Sequence, residues 1–309
     1  MWGRVLALHT AIPRLARRLE ADVVLTPNFL SPAWPGRVPT VVAVQDLAFE
    51  QVPSSVPFPR RMYYGLAVRS SIRRASAVLV TTRRMAMEVA AYEPSVASRI
   101  RTAPLGVSPA HLETGSGRKR PHEEGFLCVG TLEPRKNLAR VLSAHGRLCR
   151  RFPDFRPLRL VGAAGWGTDE VDRALAGHPD PSRVIRLGFL SDEDLAREYA
   201  SARALVFCSL YEGFGLPVVE AMAHGCPVLC SSGTALAEVG AGAALTVEPA
   251  EVGEIERGLL RMARDDALVR RLGAAGPVRA AQYSWGECAR RTIDAIEELV
   301  ERPDREGSE

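Results

Sequence analysis

The segment LYEGFGLPVVEAMAHGCP (residues 210–227) places two glutamates, Glu212 and Glu220, eight residues apart around a Gly-Phe-Gly turn. Glu220 lies among valines, alanines and a methionine, where an unpaired carboxylate is costly. One alternative is a structural ion pair between Glu220 and an arginine. The pattern favours a binding role, because carboxylates accept hydrogen bonds from adjacent hydroxyls: one glutamate would bind a ribose and the other a sugar.

The turn between the glutamates indicates where the ligand would lie. Pro217 suits the first turn of a helix, and Gly213 and Gly215 allow backbone to approach a ligand closely. The apolar run ALVFC (residues 204–208) precedes the turn and predicts a strand. The helix should therefore begin at the carboxyl edge of a sheet, where unpaired amides and the helix dipole favour a phosphate.

A second motif, VGTLEPRKNL (residues 129–138), again runs from a strand into a loop and a helix. Arg135 and Lys136 are adjacent, and two cations at such an edge can neutralise a diphosphate. Asn137 can cap the helix that follows. The alternative is an ordinary solvated Arg-Lys pair, but the position after a strand favours ligand contact.

Apolar runs alternate with amphipathic stretches along the whole chain, which is typical of parallel sheets flanked by helices. The runs predict strands at residues 22–26, 40–44, 77–81, 100–104, 126–130, 158–161, 184–187, 204–208 and 227–231. A glycine- and charge-rich stretch between the fourth and fifth runs reads as a linker. The two series predict two doubly wound domains with a cleft between them.

The amino-acid composition limits the classes of protein to which this chain can belong. The 309 residues have a hydrophobic fraction of 46% and a mean hydropathy of −0.04, values typical of a globular protein, and no apolar run approaches membrane-spanning length. The cysteines lie mostly in apolar segments, which suits buried thiols in a reducing cytosol. Neither the cysteines nor the six histidines show metal-binding spacing.

Charge is distributed unevenly along the chain. Residues 1–115 contain 14 arginines and 7 acidic residues, whereas the remaining residues contain three more acidic than basic side chains. A basic first part could contact an anionic membrane surface or a phosphorylated acceptor, or it could simply present solvated helix faces. No nucleic-acid-binding motif accompanies the arginines, so we expect no nucleic-acid partner.

The residues in these motifs resemble a known family. VGTLEPRKNL, RLGFLSDEDLAREYASARALVFCSLYEGFGLPVVEAMAHGCPVLCSS, ALAEVGAGAAL and YSW look like retaining glycosyltransferases of family 4, mannosyltransferase-like group. The resemblance implies an α/β GT-B fold, with two Rossmann-like domains facing a cleft. It implies a shortened N-terminal acceptor-side domain (residues 1–115), a linker (116–124), a donor-binding domain (125–284) and a last helix (285–302) that crosses back to the first domain.

The resemblance also implies roles for residues. Glu212 would contact the donor sugar, Glu220 would contact the ribose hydroxyls, and Arg135 and Lys136 would hold the diphosphate. Catalytic roles fall to Glu212, Arg135 and Lys136. The residues implied to bind the donor are Gly130, Thr131, Arg135, Lys136, Leu190, Glu212, Gly213, Phe214, Gly215, Leu216 and Glu220. Leu190 belongs to a loop whose backbone would contact the base.

On the acceptor side, VVAVQDLAFE (residues 41–50) resembles the family, with a departure: Gln45 precedes Asp46 where the family usually has histidine. Glutamine can hydrogen-bond but cannot carry a proton or a charge. The first strand and glycine-rich loop of the family are also missing. This leaves three explanations: the true start lies upstream, a partner subunit completes the sheet, or the chain binds a nucleotide sugar without transferring it. We favour the first.

We therefore predict a glycosyltransferase that moves a sugar from a nucleoside-diphosphate sugar (GDP-mannose or a UDP-sugar) to a glycan or lipid-linked acceptor, with retention. No cofactor and no metal is expected, and the expected location is cytoplasmic, with peripheral contact at the inner membrane face as an option. The alternative is a nucleotide-sugar-binding pseudoenzyme or partner subunit. A dehydrogenase is disfavoured because GAAGWG (residues 162–167) lacks the full dinucleotide fingerprint.

Overall fold

The computed structural model describes residues 2–33, 36, 38–53, 56, 58–108, 111 and 124–301. The chain divides into unit 1, formed by Met1–Leu105 and Gly286–Glu309, and unit 2, formed by Gly106–Trp285. Most of the expected linker lies outside the described residues; its last residue, Glu124, is already the first residue of a strand. None of the described helices combines the length and apolar composition needed to cross a membrane.

Unit 1 is built on four parallel strands in the order β1-β2-β3-β4. The strands are β1 (Val24–Thr26), β2 (Thr40–Val44), β3 (Ala77–Val80) and β4 (Ile100–Thr102). The helices are α1 (Trp2–Arg18), α2 (Ala48–Gln51), α3 (Phe58–Arg74) and α4 (Arg83–Tyr92), with a 3-10 helix at Pro94–Arg99. The central strands β2 and β3 are almost entirely buried and apolar, as expected for a parallel sheet covered by helices.

The C-terminal helix (Trp285–Val300) completes unit 1. Its Ala295 is buried in a cluster with Val41, Ala77, Leu79 and Ala103 from the sheet region. An ion pair also joins this helix to β4, with 2.8 Å between Arg101 and Glu298. The C-terminal segment therefore packs on the first sheet although it follows unit 2 in the chain.

Unit 2 contains six parallel strands in the order β10-β9-β8-β5-β6-β7. The strands are β5 (Glu124–Val129), β6 (Leu158–Val161), β7 (Val184–Gly188), β8 (Ala202–Phe207), β9 (Val228–Ser231) and β10 (Ala244–Val247). The sheet grows from β5 in one direction and then, from β8, in the other. This reversal makes unit 2 doubly wound, with a topological switch point between β5 and β8.

Helices cover both faces of this sheet. They are α5 (Leu138–Arg151), α6 (Asp169–Ala176), α7 (Asp192–Ser201), α8 (Leu216–Ala223), α9 (Ala235–Val239), α10 (Val252–Arg264) and α11 (Asp266–Ala280), with 3-10 helices at Pro134–Lys136 and Pro181–Arg183. One core cluster joins α5, α10 and α11 to the strands, and its members include Phe126, Leu142, Leu229 and Leu259. The core thus holds the switch point on a rigid sheet.

Candidate active site at the switch point of unit 2

Both sequence motifs lie at the switch point. The loop after β5 carries Arg135 and Lys136, the loop after β8 carries Glu212, and the two strands are hydrogen-bonded neighbours. A backbone hydrogen bond of 2.9 Å from the amide of Leu210 to the carbonyl of Arg135 joins the loops. In doubly wound sheets, ligands bind in the crevice at this position.

Lys136 extends across the carboxyl edge of the sheet. Its Nζ lies 2.6 Å from Oε1 of Glu212 and 4.6 Å from the ring centroid of Phe207, over the ring face. Gly130 has a φ of 133°, and a Cβ added there would lie 3.2 Å from Cε of Lys136. Glycine at position 130 therefore leaves room for the lysine side chain.

Arg135 is held by several acceptors. Its guanidinium lies 2.6 Å from Glu212 and 2.6 Å from Glu133, and it donates a hydrogen bond of 3.1 Å to the carbonyl of Tyr211. Glu133 is buried, so Arg135 provides the countercharge that such a carboxylate needs. No sequence signal distinguishes Glu133, although it lies two residues before the arginine in the same motif.

Glu212 is buried, and each of its two oxygens is paired with a cation. Burial alone would raise the pKa of Glu212, but Lys136 and Arg135 outweigh that effect and lower the pKa below its usual value. The carboxylate is therefore ionised at neutral pH. The group is charge-balanced: its two cations are Arg135 and Lys136, and its two carboxylates are Glu133 and Glu212.

Asn137 occupies the residue before α5, but it does not cap the helix as the sequence predicts. It adopts a left-handed conformation (φ 60°, ψ 25°), and its side chain accepts no hydrogen bond from a backbone amide of the first turn. Its Oδ1 accepts from the guanidinium of Arg140 at 2.9 Å instead. Its amide nitrogen donates to the carbonyls of Cys208 (2.9 Å) and Pro249 (2.7 Å). The left-handed backbone turns the side chain towards these loops, where it ties the two motifs together.

The Gly-Phe-Gly turn leads directly into α8. Gly215 precedes the helix with a φ of 102°, and a Cβ there would lie 2.3 Å from Cδ2 of Leu236, so only glycine fits. The helix begins at Leu216 with Pro217 in its first turn. The buried ring of Phe214 packs edge-on against Tyr283, at 5.4 Å between ring centroids.

Glu220 lies one turn into α8, in an environment unlike that of Glu212. Its Oε2 accepts a hydrogen bond of 2.9 Å from the hydroxyl of Tyr199. Burial raises the pKa of Glu220, and the hydrogen bond from Tyr199 and the nearby His111 offset part of that shift. Tyr199 and His111 could not be predicted from the sequence, because nothing in their spacing links them to Glu220.

Backbone hydrogen bonds connect the loops after β5, β6 and β7. The amide of Gly130 donates to Val161, and the amide of Gly162 donates to Gly188 at 2.7 Å. Thr131 lies exposed in the first of these loops, and Leu190 is half-buried in the last. These two residues therefore lie at the same edge of the sheet as Lys136.

Gln45 and Asp46 belong to unit 1 and follow the carboxyl end of β2. Nε2 of the Gln45 side chain donates a hydrogen bond of 3.4 Å to the carbonyl of Pro27. Oδ1 of Asp46 accepts a hydrogen bond of 3.0 Å from the amide of Ala48, where α2 begins. Backbone groups of unit 1 thus orient both side chains.

Among the described residues, one group of side chains is close enough to share a metal ion: His145, Cys149 and His178, whose ligand atoms lie within 4.8 Å of one another. Hydrogen bonds already use the ring nitrogens. His145 donates from Nε2 to the carbonyl of Arg156 (2.8 Å), and its Nδ1 lies 3.0 Å from Nε2 of His178. Nδ1 of His178 accepts from the amide of Asp180 (3.1 Å). These partners fix both tautomers in one directed chain, which favours a structural role.

Comparison with known proteins gives the class and the family. The model of the family described as "Glycosyl transferases group 1" matches residues 113–279. O-antigen chain mannosyltransferase B of Escherichia coli is 32% identical over 281 residues, covering 88% of this chain and 73% of that protein. The serotype-specific mannosyltransferase WbdA of Escherichia coli is 29% identical over 243 residues, covering 75% of this chain and 30% of WbdA.

Among solved structures, sucrose-phosphate synthase from Thermosynechococcus elongatus superposes with a TM-score of 0.75 at 21% identity, covering 94% of this chain and 79% of that one. The two parallel-sheet α/β units and this neighbour show the GT-B fold. The family model and the mannosyltransferase relatives identify the chain as a glycosyltransferase of the mannosyltransferase type. The chain belongs to the glycosyl transferases group 1 family.

Proposed function

We propose that this chain transfers a sugar, with retention of configuration at the anomeric carbon, from a nucleoside-diphosphate sugar to a glycan or a lipid-linked acceptor. The observation that carries the proposal is the contact of Lys136 and Arg135 with Glu212 at the switch point, one loop away from the first turn of α8. GDP-mannose is the favoured donor, because the relatives are named mannosyltransferases. UDP-sugars are the alternative.

The charge at this site suits the departure of a diphosphate. As the bond from the anomeric carbon to the phosphate oxygen breaks, negative charge grows on that oxygen. Lys136, Arg135 and the amides at Gly215 and Leu216 would stabilise this charge, which is electrostatic preorganisation. These groups supply positive charge at the leaving group, so we propose that transfer requires no metal ion and no other cofactor.

The two glutamates would hold the rest of the donor. Glu212 would release part of its pairing with Lys136 as the diphosphate arrives, and then accept hydrogen bonds from the sugar. Glu220 would accept hydrogen bonds from the ribose. The acceptor hydroxyl then attacks the anomeric carbon from the face that the phosphate leaves, and the departing phosphate oxygen takes the hydroxyl proton. The nucleoside diphosphate leaves, and configuration is retained.

The remaining donor contacts would come from the loops around these groups. Gly130 and Thr131 would lie against the diphosphate, Gly213 and Phe214 would shape the turn beside the sugar, and the backbone at Leu190 would face the base. Gln45 and Asp46 of unit 1 would serve the acceptor side.

A transfer assay tests this proposal. Purified protein is incubated with GDP-[14C]mannose or UDP-[14C]glucose and a mannose-terminated oligosaccharide, with EDTA in a parallel reaction. We expect labelled product with the anomeric configuration of the donor by NMR, in equal yield with EDTA. Calorimetry with GDP and UDP is run alongside. Binding with neither transfer nor hydrolysis would contradict the proposal and support a nucleotide-sugar-binding pseudoenzyme or partner subunit.

We also propose that unit 1 contacts an anionic membrane surface peripherally. Phe58, Met62 and Leu66 recur every four residues along α3 and are 65%, 54% and 76% exposed, so they form one apolar stripe. Arg69 and Arg73 continue the same stripe and are exposed. Apolar side chains followed by cations suit a surface of anionic lipid.

Sedimentation with lipid vesicles tests this contact. We expect binding to phosphatidylglycerol vesicles, weaker binding in high salt, and little binding to phosphatidylcholine vesicles. Leu66→Gln should reduce binding to the anionic vesicles, whereas Val278→Gln, at an exposed apolar position in unit 2, should not. Equal binding of the wild type and Leu66→Gln would exclude α3 as the contact.

A further inference from the structure

Tyr199, His111 and His224 form a buried aromatic cluster beside Glu220. The ring of Tyr199 stacks on His224, with 5.8 Å between centroids and an angle of 17° between planes. His111 packs edge-on against both rings, at 6.0 Å from Tyr199 and 5.2 Å from His224. The phenol is fully buried and donates its proton to Glu220. The cluster therefore restrains the phenol that is hydrogen-bonded to this carboxylate.

Both imidazoles pack against the ring of Tyr199. His224 carries no positive charge that could pair with Glu220. Nδ1 of His111 lies 3.0 Å from Nε2 of His224. Burial lowers the pKa of His224 to about 4, so this ring is neutral at physiological pH. The backbone amide of His224 also donates to the carbonyl of Glu220, at 3.2 Å, which ties the cluster to the turn of α8 that carries the carboxylate.

The hydrogen bond to Oε2 has a geometric consequence. A carboxylate held by one donor at one oxygen keeps the lone pairs of its other oxygen for a second donor. In Glu212 both oxygens contact cations, whereas Glu220 accepts the hydrogen bond from Tyr199 at Oε2. Oε1 of Glu220 is thus the atom that Tyr199 can present to a hydroxyl.

We propose that Tyr199 is a positioning residue that sets the preference of the site for ribose: its hydroxyl holds Oε2 of Glu220 so that Oε1 accepts a hydrogen bond from a ribose hydroxyl. This inference rests on the proposed function, because it places the ribose of a nucleoside against Glu220. It adds a residue that touches no ligand and acts through the carboxylate. Ribose lacking its hydroxyls gains nothing from this arrangement.

The inference predicts a pattern across ligands. Tyr199→Phe keeps the ring and its packing but removes the donor, so Glu220 can rotate. A hydrogen bond to a charged group is worth roughly a tenfold change in affinity or more, and we expect about a tenfold weaker affinity for GDP or UDP. The affinity for the 2′,3′-dideoxy form of the same nucleotide should be unchanged, because it cannot engage Glu220.

Calorimetry on the purified full chain tests the pattern. GDP, UDP and their 2′,3′-dideoxy forms are titrated into the wild type, Tyr199→Phe, Glu220→Gln and the double variant. The double variant should bind GDP no more weakly than Glu220→Gln alone, since Tyr199 acts through Glu220. Equal losses for ribose and dideoxyribose ligands, or additive losses in the double variant, would overturn the inference.

A matched control separates positioning from general destabilisation. The hydroxyl of Tyr92 in unit 1 donates a hydrogen bond of 2.7 Å to the carbonyl of Gly65, so Tyr92→Phe loses a comparable phenol hydrogen bond. It should lower the melting temperature by a similar amount and leave nucleotide affinity unchanged. If the wild type bound neither GDP nor UDP, the proposed function would fail along with the inference. Binding with the wrong ligand pattern would remove the inference alone.

Discussion

Glu212 and Glu220 are two glutamates of one motif, eight residues apart, and their surroundings differ in kind: Glu212 is buried and Glu220 is half-buried. Glu212 contacts two cations, and its pKa is lowered because they outweigh the effect of burial. Glu220 is held by a phenol beside aromatic rings, and its pKa is raised because burial dominates. The cations paired with Glu212 can exchange this carboxylate for an incoming diphosphate. Glu220, held by the phenol, can orient the hydroxyls of a ligand. We therefore propose that Glu212 and its two cations serve the diphosphate and the transferred sugar, whereas Glu220 serves the ribose hydroxyls.

The identity of the cation at position 136 sharpens this contrast. The chain contains two lysines and 38 arginines, so its composition strongly favours arginine wherever either cation would serve. A lysine nevertheless lies over Phe207 and against Gly130 at the switch point. A compact ammonium on a flexible stem fits there, whereas a planar guanidinium needs more room.

The largest expected effect comes from removing this ammonium. Lys136→Ala should lower kcat for sugar transfer on the order of 10²- to 10³-fold, because one donor that stabilises the developing charge is lost. Lys136→Arg should recover little of that activity, since the fork cannot occupy the same space. Steady-state rates with radiolabelled donor measure both effects.

The ion pair between Arg147 and Glu256, 3.6 Å apart, supplies the control for this experiment. Arg147→Ala removes a cation from α5 on the surface, and its kcat should stay within twofold of the wild type, because surface ion pairs contribute little. Near-normal turnover of Lys136→Ala would show that Lys136 does not stabilise the leaving group.

The second effect separates binding of the diphosphate from transfer of the sugar. Glu212→Gln leaves Lys136 and Arg135 without their shared carboxylate, so a diphosphate meets less competition and GDP should bind several-fold more tightly. The sugar loses its charged acceptor, and kcat should fall by about 10²-fold. Calorimetry and transfer rates on one preparation measure the two changes.

Glu256→Gln is the matched variant for Glu212→Gln, because it removes a carboxylate from the control pair and should change neither quantity. If GDP bound more weakly to Glu212→Gln than to the wild type, Glu212 would be supporting the diphosphate site and not competing for its cations. The roles proposed for the two glutamates would then be wrong.

Much of unit 2 can be predicted from sequence because its signals are local. Apolar runs predict strands at or near β5, β6, β7, β8 and β9, and Pro217 and Gly215 indicate the start of α8. The adjacency of the two motifs also follows, since parallel strands place their carboxyl ends at one edge. The sequence does not predict three elements of unit 2, because none carries a marker as strong as the motifs. They are β10, α10 and α11.

The contacts that tune the glutamates could not be read from sequence. His111 lies 113 residues before His224, and only the fold brings their rings together. Asn137 looks like a helix cap, but its left-handed backbone redirects the amide to Cys208 and Pro249. These interactions depend on tertiary placement, which no spacing rule encodes.

The smallest expected effect is a pH dependence that belongs to Glu220. Its pKa lies above the usual value, so the carboxylate is fully ionised only above that raised pKa, and ribose recognition should weaken as the pH falls through it. The ratio of the affinities for GDP and 2′,3′-dideoxy-GDP isolates this effect, because both ligands share the same phosphate titration. The ratio should fall by at most about tenfold towards acid pH, the worth of one hydrogen bond to a charged group. Glu212, with its lowered pKa, stays ionised over that window. The ratio should be independent of pH in Glu220→Gln, and an acid limb that persists in this variant would assign the titration to another group.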